Sequence, residues 1–197
     1  GSEMCIRDSY RNNEEIRGKF SKLFGECNPD EVKIYHLNDF ITSIGKENIE
    51  KLVVKPLEGL KVVPYYGCLP RLPHVDIDSK ENPTLMDEIL SWIGAEVVNW
   101  PYKVYCCGAG ISISKPQISD KLVENILEMA SSFSVDAIAV VCPLCQFNID
   151  SREKKLGFNI PVIYLTQLMG VAFGIPRDKL GLDKTFVSAE EVLQRYS

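Results

Sequence analysis

The sequence predicts an open α/β fold, a Rossmann-like, mostly parallel sheet of about four strands with flanking helices, preceded by a helical N-terminal segment. Two observations predict this class. From Leu60 onward, short apolar runs alternate with segments of helical periodicity, which is typical of βαβ units. One of these runs is apolar almost throughout, as expected for a parallel strand that is covered on both faces.

The N-terminal segment is charge-rich and helical in pattern. Apolar residues recur at helical spacing in two groups: Ile16, Phe20, Leu23 and Phe24, and then Leu37, Phe40, Ile41 and Ile44. We therefore expect residues 1–54 to form a helical connecting segment that packs through these residues. Residues 55–197 would form the main domain. The first two residues resemble a cloning remnant. We expect about the first nine residues to be non-native or disordered.

Four short segments have the apolar, β-branched composition of strands. They are residues 61–66, 95–100, 135–141 and 161–165. The third is the segment that is apolar almost throughout.

Helices are predicted between these strands. The first should have Asn82 as its N-cap and Pro83 in its first turn, and it should end at Gly94. It should turn Leu85, Ile89 and Trp92 inward. Two later helices are expected after Cys145 and Leu165.

Two further helical patterns complete the chain. One begins near Pro116 and predicts a buried face formed by Leu122, Ile126, Met129 and Phe133. Near the end, Ser188 and Glu191 have the spacing of a capping box before a last helix.

Composition excludes several classes of function. Hydrophobic residues make up 45% and charged residues 25%, as in a globular protein. The net charge of -5 leaves no basic face for nucleic acid. The longest apolar stretch, residues 160–175, contains a proline and two glycines and is shorter than the roughly 20 residues that span a bilayer. Since the sequence shows no secretory signal, we expect a cytoplasmic protein.

Seven cysteines in a reducing compartment indicate metal ligands or redox groups rather than disulfides. Five of them follow three of the predicted strands: Cys68, Cys106, Cys107, Cys142 and Cys145. The carboxyl ends of parallel strands share one edge of a sheet, so we expect these five thiols to converge there. The adjacent glycines Gly67, Gly108 and Gly110 would allow the backbone to turn sharply. Cys5 and Cys27 are interpreted as small apolar residues.

The number of thiols helps to distinguish a single zinc ion from an iron–sulfur cluster. A tetrahedral zinc ion uses at most four protein ligands, whereas a cluster of several irons can use five. Cys142-Pro-Leu-Cys145 should also begin a helix, where free amides favour thiolates. Two alternatives stay open: a zinc-binding structural or docking module that uses four of the five, and a thioredoxin-like dithiol of Cys142 and Cys145 alone.

Other polar and aromatic residues near these cysteines have simpler interpretations. His36 and His74 are expected at the surface or as helix caps, with His74 near enough to Cys68 in sequence to be a possible ligand. We interpret Tyr65, Tyr66 and Trp100 as core or pocket wall, and Asp76 and Asp78 as part of a solvated loop.

Four short sequence motifs identify a family resemblance: Pro64-Tyr-Tyr-Gly-Cys68, Cys106-Cys-Gly-Ala109, Cys142-Pro-Leu-Cys145 and Pro161-Val-Ile-Tyr-Leu-Thr-Gln-Leu-Met-Gly170. Together they resemble the cysteine-rich CCG domain of the heterodisulfide reductase B subunit and its relatives, over about residues 30–185. That B subunit usually has two CCG domains, and this chain is similar to the second, C-terminal one. We therefore expect a truncated form.

The resemblance implies a non-cubane [4Fe-4S] cluster held by Cys68, Cys106, Cys107, Cys142 and Cys145. It implies an oxidoreductase that acts on a sulfur group, the coenzyme M–coenzyme B heterodisulfide in methanogenic members. The implied partners are an iron–sulfur electron-transfer subunit and a flavoprotein subunit. Catalysis would need another CCG domain in addition to this one, together with those subunits.

Overall fold

The centre of the molecule is a four-stranded sheet in which all the strands run parallel. The computed structural model describes residues 9–26, 28, 35–71 and 78–196. The strands are β1 (Lys61–Tyr65), β2 (Glu96–Val97), β3 (Ala137–Val140) and β4 (Val162–Tyr164). Their order across the sheet is β2-β1-β3-β4. The predicted fold class and the four predicted strands are therefore confirmed.

Strand β2 is much shorter than the predicted segment of residues 95–100, and Pro64 in β1 explains why. The amide of Val98 donates to the carbonyl of Val62, so Val62 faces β2, and by alternation Pro64 faces it as well. Proline has no amide proton to continue the ladder. Beyond Val98 the indole Nε1 of Trp100 donates instead to the Pro64 carbonyl at 2.8 Å.

Helices cover both faces of the sheet. In chain order they are α1 (Glu14–Phe24), α2 (Leu37–Ile44), α3 (Lys46–Glu50), α4 (Leu85–Trp92), α5 (Pro116–Ser132), α6 (Pro143–Leu156), α7 (Leu165–Ala172) and α8 (Glu190–Leu193). One apolar core joins α2, α3, α4, α7 and α8 to one face of the sheet. A second core joins α5 and α6 to the other face. None of the described helices is both long and apolar enough to cross a membrane.

The N-terminal segment is helical as predicted, but its two parts differ in packing. Ile41 in α2 and Ile49 in α3 are buried in the same core as α4. In α1, by contrast, no residue is buried, and Leu23 and Phe24 are each about three-quarters exposed. The expected packing through the apolar residues of α1 is therefore wrong for the described structure. The domain boundary after residue 54 stays a prediction.

Helix α4 begins later than its sequence predicts. Its N-cap is Thr84, so Asn82 and Pro83 lie outside the helix. The carboxylate of Asp78 accepts hydrogen bonds from the amides of Thr84 and Leu85, both at 2.8 Å. Asp78 therefore anchors the first turn instead of lying in a purely solvated loop, and this contact sets where the helix starts.

Helix α5 differs from its prediction in which of its residues are buried. The buried face of α5 consists of Ser119, Val123, Ile126, Leu127 and Ala130. Of the expected set only Ile126 is buried; Leu122 and Met129 are half-buried and Phe133 is exposed. The short side chains of Ser119 and Ala130 allow the helix to approach its neighbours on that face.

The predicted capping box at the last helix does not form. The N-cap of α8 is Ala189, and Ser188, one residue earlier, accepts a hydrogen bond from the Glu190 amide at 3.2 Å. Because Ala189 already has helical backbone angles, Ser188 is displaced from the capping position and Glu191 is out of register with it.

Candidate metal centre

The five cysteines lie beyond the carboxyl ends of the parallel strands. Cys68 follows β1 in the turn after Gly67, and Cys142 follows β3 as the N-cap of α6. Pro143 occupies the first turn of that helix as predicted, and Cys145 lies in the same turn. The loop after β2 carries Cys106 and Cys107. The structure thus brings the three cysteine segments to the same edge of the sheet.

Within this cluster the thiols differ in exposure. Cys107 and Cys145 are buried, with only 4% and 5% of their surface exposed, and their sulfurs are 3.6 Å apart. Cys142 is half-buried, and Cys68 and Cys106 are exposed. The site therefore has a buried pair at its base and three thiols nearer to solvent.

Two of the three predicted glycine turns are present. Gly67 has φ +68°, and a Cβ atom on it would lie 3.0 Å from Cys145 Sγ. Gly108 has φ +77°, and its Cβ would lie 2.9 Å from Leu122 Cδ1. Gly110 has no positive φ, and a Cβ on it would have no heavy atom within 4 Å, so the prediction for this glycine is wrong. The positive φ of this loop is at Gly108, and Gly110 lies in the short 3-10 helix Ala109–Ile111 that follows it.

Two of the thiols are acidic. Hydrogen bonding with Cys145 lowers the pKa of Cys107 to about 6, although burial opposes the shift. Hydrogen bonding with Cys145 also lowers the pKa of Cys142 to about 6, helped by the backbone amides of Cys145 and Leu144 at the start of α6. The predicted preference for a thiolate at this helix start is thus present at Cys142.

The pKa values of two other thiols, Cys145 and Cys68, are raised instead. Hydrogen bonding with Cys107 and with Cys142, followed by burial, raises the pKa of Cys145 strongly. Burial, followed by repulsion from Cys106 and Cys107, raises the pKa of Cys68. Five thiolates can coexist here only if a cation compensates their charge, because like charges so close together disfavour one another. This donor set suits a positively charged iron core.

The described residues contain no group of three His, Cys, Asp or Glu side chains arranged to hold one metal ion. The five thiols share one edge of the sheet, with the Cys107–Cys145 pair buried and the other three nearer to solvent. A cluster of several irons can bind five thiols, whereas a single tetrahedral zinc ion uses four at most.

Asn148 and Ser119 support the site, and neither was predicted from the sequence. Asn148 Nδ2 donates to the Cys107 carbonyl at 2.8 Å and to Ser119 Oγ at 3.1 Å. Both side chains are buried. The available signal was spacing, since Asn148 lies three residues after Cys145 and therefore on the same side of α6.

An ion pair between a buried lysine and a half-buried aspartate lies beside the Cys68 turn, and it was not predicted either. Lys103 Nζ lies 2.5 Å from Asp87 Oδ1, and the Tyr66 hydroxyl donates to the other Asp87 oxygen at 2.5 Å. The amides of Tyr66 and Gly67 donate to the Lys103 carbonyl. A lysine is rarely buried without such a partner, but its partner is distant in sequence.

The remaining predicted residues have structural roles or lie outside the described residues. The side chain of His36 caps α2 by accepting from the Asn38 amide, which confirms the capping interpretation. Tyr65, Tyr66 and Trp100 are buried, as expected for core or pocket wall. The other residues of interest, Cys5, Cys27, His74 and Asp76, fall outside the described part of the chain.

A cavity of about 210 Å³ adjoins Cys142 on the α2 and α4 side of the sheet. Its wall is largely apolar and includes Leu69, Met86 and Pro143. The half-buried thiol of Cys142 is thus reachable from a space large enough for part of a small molecule.

Comparison with known families agrees with this geometry. The cysteine-rich domain family named CCG matches residues 62–150, which include all five clustered cysteines. The chain therefore contains a cysteine-rich CCG domain, which is a domain of the redox iron–sulfur type.

Comparison with individual proteins shows which members of the CCG family this chain resembles. The chain is 31% identical over 174 residues to the B subunit of the ferredoxin:CoB-CoM heterodisulfide reductase of Methanosarcina mazei, an alignment that covers 83% of this chain. It is 32% identical over 157 residues, 74% of this chain, to the 8-methylmenaquinol:fumarate reductase membrane anchor subunit of Wolinella succinogenes. The chain belongs to the CCG proteins that are similar to the heterodisulfide reductase B subunit.

The alignments cover only part of these relatives, 58% of the Methanosarcina mazei protein and 55% of the Wolinella succinogenes protein. A solved structure of a hypothetical protein from Helicobacter pylori has the same fold, with a TM-score of 0.68 and 14% identity. The match covers 94% of this chain and 35% of that one.

Proposed function

We propose that this domain binds a non-cubane [4Fe-4S] cluster through Cys68, Cys106, Cys107, Cys142 and Cys145, and that it serves disulfide reduction and thiol/disulfide electron transfer. The observation that carries the proposal is the buried Cys107–Cys145 pair, with sulfurs 3.6 Å apart under three further thiols. The close approach at Gly67, which a side chain would block, supports it. When bound, the cluster would supply the electrons that cleave a disulfide.

The protein's own residues prepare this site. Gly67 and Gly108 turn the backbone so that sulfurs from separate loops face one another. Amides at the start of α6 stabilise negative charge at Cys142. Asn148 holds the Cys107 carbonyl, which fixes the loop that carries two of the thiols.

The substrate and partners follow from the relatives. Several are named as subunits of CoB-CoM heterodisulfide reductase or of fumarate reductase. We therefore propose a disulfide substrate, an iron–sulfur electron-transfer subunit and a flavoprotein subunit as partners, and a need for a second CCG domain in catalysis. The apolar cavity beside Cys142 would accept part of the substrate. A cytoplasmic location stays a prediction.

Anaerobic reconstitution tests the cluster. Wild-type protein should take up about four irons and four sulfides per chain, as a [4Fe-4S] centre requires. Cys145→Ser should lose most of both because it removes the sulfur at the base of the site. Cys27→Ser, a matched control outside the five-cysteine pattern, should retain them. Iron, sulfide and zinc are measured on the same samples.

Other results of the reconstitution experiment would distinguish between the alternative metal sites. Folded wild-type protein with neither iron nor sulfide would refute cluster binding, and zinc without iron would favour a zinc module that uses four of the thiols. Full iron and sulfide content in Cys68→Ser or Cys106→Ser would contradict the five-ligand set and leave a cluster with four ligands.

A further inference from the structure

The cavity beside Cys142 is also lined by a buried polar side chain, that of Asn38 in the first turn of α2. Only 2% of Asn38 is exposed. Its Oδ1 atom is buried and has no hydrogen-bond partner among the described residues. Most buried polar atoms in folded proteins are hydrogen-bonded, because burying one without a partner costs free energy. Asn38 therefore places an unsatisfied acceptor in the wall of a largely apolar cavity.

Other polar side chains in this wall already have partners. The Tyr66 hydroxyl donates to the Asp87 carboxylate at 2.5 Å. The Asp78 carboxylate accepts from two amides at the start of α4. His36 Nδ1 accepts from the backbone amide of Asn38 at 3.3 Å. Within the described structure, the Asn38 side chain thus differs from these neighbours, since its acceptor is left for a ligand.

The chemistry of a carboxamide limits which ligand groups suit it. Asparagine has an acceptor at one end of its carboxamide and two donors at the other. A ligand amide, with one N–H and one C=O, can form hydrogen bonds with either end. An ester has no donor for Oδ1, and a carboxylate would bring an unpaired charge into a largely apolar cavity, which is costly. The wall at Asn38 therefore favours a neutral amide.

We propose that Asn38 determines substrate specificity, and that the disulfide entering beside Cys142 carries an amide group whose N–H donates to Asn38 Oδ1. The inference rests on the proposed disulfide reduction and names the class of substrate for that site. Cys142 and Asn38 line the same cavity of about 210 Å³, so one small molecule can place its sulfur at the cysteine site and its amide at α2. Asn38 contacts the part of the substrate that does not react.

Two small thioethers test this preference on reconstituted protein. N-[2-(methylthio)ethyl]acetamide and 2-(methylthio)ethyl acetate differ only in that an ester oxygen replaces the amide N–H, and neither carries a thiol to bind iron. Wild-type protein should bind the amide about tenfold more tightly in ligand-observed NMR titrations, as one hydrogen bond of typical strength provides. In Asn38→Leu the two affinities should be equal. Asn159→Leu, the same change at an exposed position outside the cavity wall, should keep the preference.

Urea denaturation separates binding from a purely structural role of Asn38. Asn38→Leu removes a buried acceptor without a partner, so its urea midpoint should equal or exceed that of the wild type. A lower midpoint with the amide preference intact would show that Asn38 serves only the fold, and it would overturn the proposal. Equal affinities of wild-type protein for the two probes, or binding of neither, would overturn it without any variant.

The same probes distinguish this inference from the proposed function. If wild-type protein assembles no cluster, the proposed function fails. The probe titration on reduced, cluster-free protein then still decides whether the cavity selects an amide through Asn38. If the cluster assembles and the amide preference is absent, only the inference about the substrate fails.

Discussion

Gly67 is the residue at which the smallest change should disturb the site most. Its φ of +68° disfavours any side chain, and a Cβ atom would lie 3.0 Å from Cys145 Sγ. We predict that Gly67→Ala lowers the free energy of unfolding by about 1–3 kcal/mol through backbone strain and reduces iron uptake on reconstitution. Urea denaturation and iron analysis measure the two effects.

Gly110→Ala is the matched control. Gly110 lies in the same cysteine region, yet it has no positive φ, and a methyl group placed on it would have no heavy atom within 4 Å. This variant should keep both stability and iron uptake. Equal behaviour of the two variants would show that the close approach at Gly67 is not required.

Single residues were also where the sequence was most informative about the site. The five cysteines could be selected from seven because their positions follow predicted strands, and all five lie at one edge of the sheet. Spacing places Asn148 on the same side of α6 as Cys145, but its supporting role could not be assigned from the sequence. That role depends on a contact with the Cys107 carbonyl, 41 residues away in sequence, which forms only in the folded chain.

Helix α6 is the element that joins the site to the core. Its first turn carries Cys142 and Cys145, and its last turns bury Glu153 completely. One oxygen of Glu153 accepts from the Ile160 amide ahead of β4 at 3.0 Å, and the other has no hydrogen-bond partner among the described residues. Burial raises the pKa of Glu153 to about 8, and the nearby Asp150 adds to the shift.

This shift makes stability depend on pH. The protonated acid is favoured in the folded protein, so its contribution is complete below the ordinary pKa of 4.5 and is lost as pH rises towards 8. We predict that Glu153→Gln, which stays neutral, flattens this fall and makes the protein more stable than wild type at pH 8, by on the order of 3 kcal/mol. Urea titrations between pH 5 and 8 measure the effect.

Glu128→Gln provides the control, because Glu128 is exposed on α5. Its pH profile should follow that of the wild type. If Glu153→Gln also followed the wild type, Glu153 would be ionised at no cost in the folded state, and the burial argument would fail.

The type of each secondary-structure element was predicted better than its length or its boundaries. The four strands and the helices between them follow from apolar periodicity, which local sequence shows directly. The length of β2 does not, because it ends where its neighbour β1 presents Pro64. The start of α4 likewise depends on Asp78, a residue outside the helix. Boundaries thus reflect partners that periodicity cannot reveal.

At the scale of the whole molecule, the ion pair between buried Lys103 and half-buried Asp87 connects three segments. Lys103 lies in the loop before Cys106, Asp87 belongs to α4, and Tyr66 follows β1 just before the Cys68 turn. Lys103 Nζ also donates to the Pro83 carbonyl at 3.1 Å. This network holds two cysteine-bearing loops against the helix layer.

Removing one partner of the Lys103–Asp87 ion pair should destabilise the folded protein. We predict that Lys103→Met lowers the free energy of unfolding by about 3 kcal/mol, because it leaves the Asp87 carboxylate without its cation. The double variant Lys103→Met with Asp87→Leu should recover part of this loss, since no unpaired charge remains. Urea denaturation of both single variants and the double variant measures the coupling.

Lys80→Met is the control for loss of a lysine charge, because Lys80 is exposed. It should change stability by no more than about 0.5 kcal/mol. A similarly small effect for Lys103→Met, or strict additivity in the double variant, would contradict the role of the pair.

The sequence by itself determined the α/β class, the parallel sheet and the five cysteines at one edge, because apolar periodicity and cysteine position are local properties of the chain. Tertiary structure alone decided which thiols are buried, that Cys107 and Cys145 form the base of the site, and that Asn148 and Lys103 support it. It also left the apolar residues of α1 exposed. These features depend on contacts between segments far apart in sequence, and such contacts form only when the sheet brings the segments together.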